Sequence, residues 1–363
     1  MNLMNSPRSI EISLTNKCNL RCLYCYHFAS DNEKGEDLPV EEWLKFFNEL
    51  RENAVMDVTL AGGEPFIYKD IKKIVEGIVE NKMRFSFLTN GTLIDEEMAN
   101  FIAATKRCNF VQVSIDGNSS SIHNLSRGNF EEAVRGIKNL QKYGIYVTSR
   151  VTINRYNVRH LNEIAEFLLE ELKIPVISTN SAGYIGLCTQ NSEKIQMNIE
   201  ERGIAMQSMV DLIKKYKGRI VSTAGPLTEA KMWTEMINSE KNSEEGYSYG
   251  GSLTACGCVW SKIAVRADGN MVPCNQISSI ELGEINKDRL SDVWKKNIDL
   301  NRMRDRKNIK LSNFESCINC KYIKYCTGNC PSVAYTMNGD VYSPNMESCL
   351  KNYLENGGKM PTF

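Results

Sequence analysis

With 363 residues the chain is longer than a typical single domain, which suits a repeated β/α architecture with a smaller appendage. Lysines and arginines number 44 and aspartates and glutamates 44, so no overall basic field exists to attract nucleic acid. No apolar run approaches the roughly 20 residues a membrane helix needs, and Met1 to Arg8 lacks an apolar signal core, so a soluble, cytoplasmic protein with no membrane partner is expected.

Thirteen cysteines without a secretory signal argue for metal ligation over disulfides, and only three histidines are present. Sulfur-rich ligation favours iron–sulfur or zinc. The first predicted strand, 10–15, alternates apolar and polar residues and runs into Cys18-Asn19-Leu20-Arg21-Cys22-Leu23-Tyr24-Cys25. Thiols at this C-x3-C-x2-C spacing can hold three irons of a four-iron cluster and leave the fourth without a protein ligand. A zinc knuckle also uses closely spaced thiols.

A helix is predicted over 39–52, with Trp43, Leu44, Phe47 and Leu50 on one face. A buried strand over 55–60 then leads into Ala61-Gly62-Gly63-Glu64-Pro65. The two glycines permit close backbone approach to a ligand, and the Glu64 carboxylate suits an ammonium group. Helix 71–80, strand 83–88 and the turn Thr89-Asn90-Gly91 follow, then helix 95–104 and a fourth strand, 110–115, ending in Ser114-Ile115-Asp116-Gly117. Helix 129–143, strand 145–153, helix 158–172, a short sixth strand at 174–179 and a closing helix over 200–216 complete the alternation. Six such repeats with right-handed crossovers predict an α/β fold, a partial (β/α)6 TIM-like barrel whose motifs share the strand C-terminal rim.

Between 218 and 254 the pattern weakens, and the polar, glycine-rich 242–251 reads as a flexible connection or a loop able to close over substrate. Asp268-Gly269, flanked by Ile263, Val265, Met271 and Val272, signals a hairpin that returns Cys256 or Cys258 towards Cys274. Cys317-x2-Cys320-x5-Cys326-x3-Cys330 and Cys349 complete a cysteine-rich C-terminal region.

The first cysteine loop, with Tyr24 before its last thiol, resembles the signature of the radical S-adenosylmethionine (SAM) superfamily. Gly62-Gly63-Glu64-Pro65 resembles the element that holds the amino group of SAM in that superfamily, and Ser114 to Gly117 the segment that meets its ribose or carboxylate. Arg150 and Thr152 lie where related enzymes contact SAM. The resemblance implies that Cys18, Cys22 and Cys25 hold a cluster whose open iron is chelated by SAM. SAM is then cleaved to a 5′-deoxyadenosyl radical.

The C-terminal cysteines resemble the SPASM domain, an auxiliary-cluster extension. Carried onto this chain, the pattern implies one auxiliary cluster on Cys256, Cys258, Cys274 and Cys330, and a second on Cys317, Cys320, Cys326 and Cys349. That makes three [4Fe–4S] clusters in all. The Cys256-x-Cys258 spacing is tighter than in some relatives, which leaves open whether one thiol is free and that cluster keeps an open iron. The expected divisions are 1–217 for the barrel, 218–255 for a bridging region and 256–363 for the auxiliary-cluster domain.

The function implied is hydrogen-atom abstraction from a peptide substrate, giving an oxidative thioether, carbon–carbon or ether crosslink in a ribosomally made peptide. An external electron donor such as flavodoxin or ferredoxin is the expected partner. The first strand begins almost at once, so no leader-binding domain is expected ahead of it. Recognition would then use the barrel rim, the linker, the C-terminal domain or a separate leader-binding protein. Formylglycine formation of the sulfatase-maturase type is an alternative, but Asn275 stands where those maturases carry an aspartate base, and an amide cannot serve. Tetrapyrrole modification is another, as is a non-enzymatic iron–sulfur or zinc scaffold. Cys108 is expected to be structural. Cys188, in Gly183-Tyr184-Ile185-Gly186-Leu187-Cys188, is the candidate hydrogen donor if the reaction is peptide epimerisation.

Overall fold

A computed structural model describes residues 3–222, 224–242, 250–254 and 256–362, with side chains left out of account for 238–242. Most of the 242–251 segment, residues 243–249, lies outside the described residues. The described chain divides into two compact units. The first comprises Met1–Ile115, Arg127–Ser149 and Gly257–Arg304; the second comprises Asp116–Ser126, Arg150–Cys256 and Asp305–Phe363.

In the first unit, β1 (Ser9–Ser13), β2 (Asp57–Ala61), β3 (Arg84–Thr89) and β4 (Cys108–Ser114) are successive parallel neighbours. The helices between them follow from 3.6-residue periodicity. Helix Val40–Glu52 buries Trp43, Phe46, Phe47 and Leu50 completely, each side chain contributing about 1.5–3 kcal/mol of burial. Its neighbour Ile71–Glu80 buries Ile74, Val75 and Ile78. Cys108, expected just before the fourth strand, is its first residue, because pairing with Phe85 begins there.

β5 (Val147–Ile153) begins in the first unit and ends in the second, where it is followed by β6 (Ile177–Ser181). The expected helix over 158–172 is three pieces: a 3-10 turn at Val158–His160, an α-helix at Leu161–Glu166 and a π-helical turn at Phe167–Glu171. The alternation does not stop at the sixth repeat. Helix Ile199–Lys215 leads to β7 (Ile220–Ser222), parallel to β6. Three residues with Val221 exposed carry too little pattern for a strand to be read from sequence. The weak stretch beyond contains helix Pro226–Asn242, whose buried Leu227, Ala230 and Met236 are spaced among charged residues.

The hairpin at Asp268-Gly269 forms, with β8 (Lys262–Val265) antiparallel to β9 (Asn270–Val272) and Gly269 at φ +88°. β8 also pairs in parallel with β1, and β10 (Gly283–Glu284) pairs with β9. The strand order in the first unit is therefore β10-β9-β8-β1-β2-β3-β4. The strands β8, β9 and β10 of residues 257–304 thus continue the first unit's sheet. The free edge of β1 supplies the hydrogen bonds that a short hairpin lacks.

Candidate active site

The loop leaving β1 carries Cys18, Cys22 and Cys25, none of them in a disulfide. The Cys25 N–H donates to the Cys22 carbonyl (3.1 Å), and the Leu20 N–H points at Cys18 Sγ (3.4 Å). Burial raises the Cys18 thiol, with Glu64 and Cys25 adding to the shift. The loop is anchored from the turn after β3. Asn90 Nδ2 donates to Asn19 Oδ1 (2.9 Å) and reaches towards Cys18 Sγ (3.9 Å), while Asn19 Nδ2 donates to Thr92 Oγ1 (2.8 Å).

The loop leaving β2 lies directly against the cysteine loop. Gly63 N–H donates to the Thr15 carbonyl (2.8 Å) and Glu64 N–H to that of Lys17 (2.9 Å). A Cβ on Gly62 would stand 2.7 Å from the Thr15 carbonyl oxygen, and one on Gly63 2.2 Å from that of Lys17. The close approach these glycines permit is therefore to the chain's own backbone. Pro65 opens a 3-10 turn, Pro65–Ile67, with Glu64 as its N-cap.

Glu64 is 1% exposed. Its carboxylate accepts from Thr89 Oγ1 (2.7 Å), Asn90 N–H (2.8 Å) and Phe66 N–H (3.3 Å). Among the described residues no lysine or arginine forms an ion pair with it. Burial pushes its carboxyl up to about 7, against the pull of these donors and of Arg127. Arg127 directs Nη1 at Cys22 Sγ (3.7 Å), and its guanidinium lies 5.4 Å from the centre of the Tyr24 ring. Nothing in the sequence marks Arg127, which belongs to no recognised motif. Ser114, at the end of β4, is half-buried.

In the second unit, Asp116 is fully buried and its Oδ1 accepts from the Thr152 N–H (2.7 Å). Its own N–H donates to His123 Nδ1 (3.1 Å), and its carbonyl accepts from Asn157 Nδ2 (3.0 Å). A Cβ on Gly117 would stand 2.5 Å from His123 N, so the Ser-Ile-Asp-Gly turn needs glycine there. Arg150 is half-buried in β5. Cys188 sits in a four-residue helix, Leu187–Gln190, with no exposure at all. Burial, reinforced by Glu347, pushes its thiol up to about 12. Glu347 is itself raised by burial to about 7.

The second unit brings Cys317, Cys320, Cys326 and Cys349 to the wall of one cavity. Burial pushes Cys326 up to about 11, and Cys349, Cys317 and Cys320 push the same way. Backbone N–H groups of Gly328 and Asn352 face Cys326 Sγ (3.4 Å) and Cys349 Sγ (3.5 Å). The other expected auxiliary ligands fall into two pairs. Cys258 and Cys274, in the first unit, both act electrostatically on Lys262, whose largest perturbation is from Glu11. Cys256 and Cys330, in the second, both act on Arg306, which burial holds below the usual guanidinium range.

Beside Cys274, Asn275 is 2% exposed and donates through Nδ2 to Glu11 Oε1 (2.8 Å). Lys262 Nζ donates to Glu11 Oε2 (3.2 Å). An aspartate at 275 would set two carboxylates against each other here. The amide suits its neighbourhood.

A family model for the radical SAM superfamily matches residues 12–168, and one for the SPASM iron–sulfur cluster-binding domain matches 256–321. The chain belongs to the radical SAM superfamily, in its SPASM-domain subfamily. It is 29% identical over 352 residues to Fe-coproporphyrin III synthase of Methanosarcina barkeri, covering 91% of this chain and 85% of that protein. It is 27% identical over 292 residues to the sporulation killing factor maturation protein SkfB of Bacillus subtilis, covering 79% of this chain and 64% of SkfB. The structure of Streptococcus suis SuiB bound to its precursor peptide SuiA superposes with a TM-score of 0.74 at 19% identity, over 96% of this chain and 77% of SuiB. That likeness shows the fold, the TIM-like partial barrel with a C-terminal SPASM domain.

As a radical SAM enzyme with a SPASM domain, the protein binds SAM and iron–sulfur clusters. The residues present fit both groups. Glu64 is a buried carboxylate with no ion-pair partner among the described residues, as an ammonium group requires. Four thiols facing one cavity are the donor set a cubane uses. Among the described residues no three histidine, cysteine, aspartate or glutamate side chains converge on a point suited to a single metal ion. A cubane binds its thiolates at separate irons and does not need such convergence. Among the described residues, no helix is long and apolar enough to cross a membrane.

Proposed function

We propose that this enzyme matures a peptide by hydrogen-atom abstraction, closing an oxidative thioether, carbon–carbon or ether crosslink. The observation that carries the reading is the similarity to SkfB, a maturation protein, over 79% of this chain. The fold shared with SuiB, which binds a precursor peptide, adds to it. When bound, the cluster and SAM supply the 5′-deoxyadenosyl radical that removes a substrate hydrogen.

The chain's own residues position that chemistry. Cys18, Cys22 and Cys25 hold the catalytic cluster, and Arg127 places a positive charge beside the Cys22 sulfur. Glu64 receives the methionyl amine of SAM. Gly62, Gly63 and Pro65 hold Glu64 in place by locking its loop to the cysteine loop. Tyr24 and Ser114 would line the remainder of the SAM site in the first unit, and in the second unit Asp116 is held by the Thr152 N–H. Cys317, Cys320, Cys326 and Cys349 would hold one auxiliary cluster in the second unit; of the other expected ligands, Cys258 and Cys274 belong to the first unit and Cys256 and Cys330 to the second. A flavodoxin or ferredoxin would supply the electron that a cluster held by Cys18, Cys22 and Cys25 needs to cleave SAM. Full burial of Cys188 supports packing over hydrogen donation, which favours crosslinking over epimerisation. The Asn275–Glu11 contact leaves no carboxylate base at the position sulfatase maturases use.

Tetrapyrrole modification is the second reading, favoured by similarity to Fe-coproporphyrin III synthase over 91% of this chain. One assay separates the two. The anaerobically reconstituted enzyme is given reductant and SAM with either a short peptide encoded beside its gene or an iron tetrapyrrole precursor of iron coproporphyrin. The peptide is expected to lose the mass of two hydrogens as 5′-deoxyadenosine accumulates, with the tetrapyrrole spectrum unchanged. Conversion of the tetrapyrrole with the peptide untouched would overturn the peptide reading.

A further inference from the structure

A second cavity, of about 270 Å³, lies in the second unit next to the cysteine-lined one, its Glu347 and Asn352 flanking Cys349 in the chain. Its wall includes Tyr184, Gln196, Met337, Met346, Glu347 and Asn352. This is close to the lower end of ligand-sized clefts, ~300 Å³. Met337 is 45% exposed, so the cavity opens to solvent.

Its polar floor is the Glu347 carboxylate. Gln196 Nε2 donates to Oε1 (2.6 Å), and the Tyr184 N–H also donates to the carboxylate. Arg202 acts on this carboxylate through its charge without pairing with it. It pairs with Glu229 (2.8 Å), donates to the Glu347 carbonyl (3.2 Å) and lies 4.7 Å from the centre of the Tyr353 ring. Among the described residues no cation forms an ion pair with the Glu347 side chain. The Glu347 N–H donates to Asn345 Oδ1 (2.9 Å), which holds the residue in place.

A carboxylate held by neutral donors, beneath two thioethers and a phenol ring, is complementary to a flexible apolar stem ending in a positive charge. The methylenes would lie along Met337 and Met346, and the charge would meet Glu347 near the Tyr184 ring. We propose that this cavity binds a lysine or arginine side chain of the peptide substrate, at a residue other than the one that reacts. The proposal rests on the peptide reading above and names a feature of that substrate, a basic anchor. The carboxylates of a tetrapyrrole would be repelled there.

The test is equilibrium binding to the anaerobically purified, cluster-loaded full chain at about pH 8, where lysine is charged. The probes are the blocked tripeptides acetyl-Ala-Lys-Ala-amide, its arginine counterpart and the uncharged norleucine counterpart, followed by saturation-transfer NMR. Lysine or arginine is expected to bind about tenfold more tightly than norleucine. Glu347→Gln should abolish that preference while keeping the iron content. Met337→Lys, at the exposed mouth, should also reduce it by repulsion, and it decides the matter if Glu347→Gln loses its iron. Equal binding of the basic and norleucine peptides, no binding of any probe, or a preference that survives both substitutions would overturn the proposal. The assay involves no turnover, so failure to find a peptide that is modified would count against the maturation reading and leave this result standing.

Discussion

A buried carboxylate surrounded by neutral donors, as at Glu64, keeps its charge only against the cost of desolvation. Its folded-state pKa is about 7 against an ordinary 4.5. Between those values the folded chain retains a proton that the unfolded chain has released, so stability of the SAM-free protein falls as pH rises through this window. An arriving ammonium group favours the ionised form. SAM affinity is therefore expected to rise by up to about tenfold per pH unit below about 7 and to level off above it, as isothermal titration would show. Glu64→Gln should remove this pH dependence and weaken binding by about 1–3 kcal/mol with iron content unchanged. SAM binding as tight as in the parent would mean that Glu64 only caps the turn. Glu64 was legible because Gly62, Gly63 and Pro65 frame it. Arg127 was not, since its approach to Cys22 joins residues 105 apart in the chain.

At the scale of elements, local signals decided most of what could be read. Helix Ile199–Lys215 opens with a capping box: Asn198 accepts from the Glu201 N–H, and Glu201 accepts from the Asn198 N–H (2.8 Å). Asn198→Ala should cost about 1 kcal/mol, seen as a lower urea midpoint with unchanged slope. An unchanged midpoint would mean that packing of the buried face alone sets this helix. Helix Pro226–Asn242 was missed because its few buried positions lie among charged residues, and β7 because it is only three residues long. The turn Thr89-Asn90-Gly91 read as an ordinary strand exit, yet Thr89 and Asn90 hold Glu64, and Asn90 also holds the cysteine loop.

For the whole molecule, the cysteine inventory predicts three four-iron clusters, about 12 irons per chain. Replacing Cys18, Cys22 and Cys25 together by alanine should leave about two-thirds of the iron and abolish 5′-deoxyadenosine formation, measured by iron assay and chromatography. Persistent SAM cleavage in that variant would show the catalytic cluster to be elsewhere. Sequence alone determined the place of the cysteine loop after β1, the Glu64 turn and the parallel β/α alternation. Each is written in short-range spacing, where ligand geometry, glycine conformation and hydrophobic period act within a few residues. Only the tertiary structure decided that β8 extends the sheet at β1, that Cys317, Cys320, Cys326 and Cys349 share a cavity, and that Asn275 meets Glu11. The last contact joins residues 264 apart. Contacts of that separation leave no periodic trace in the chain, because they arise when one element's unpaired edge or buried polar group finds its complement in another.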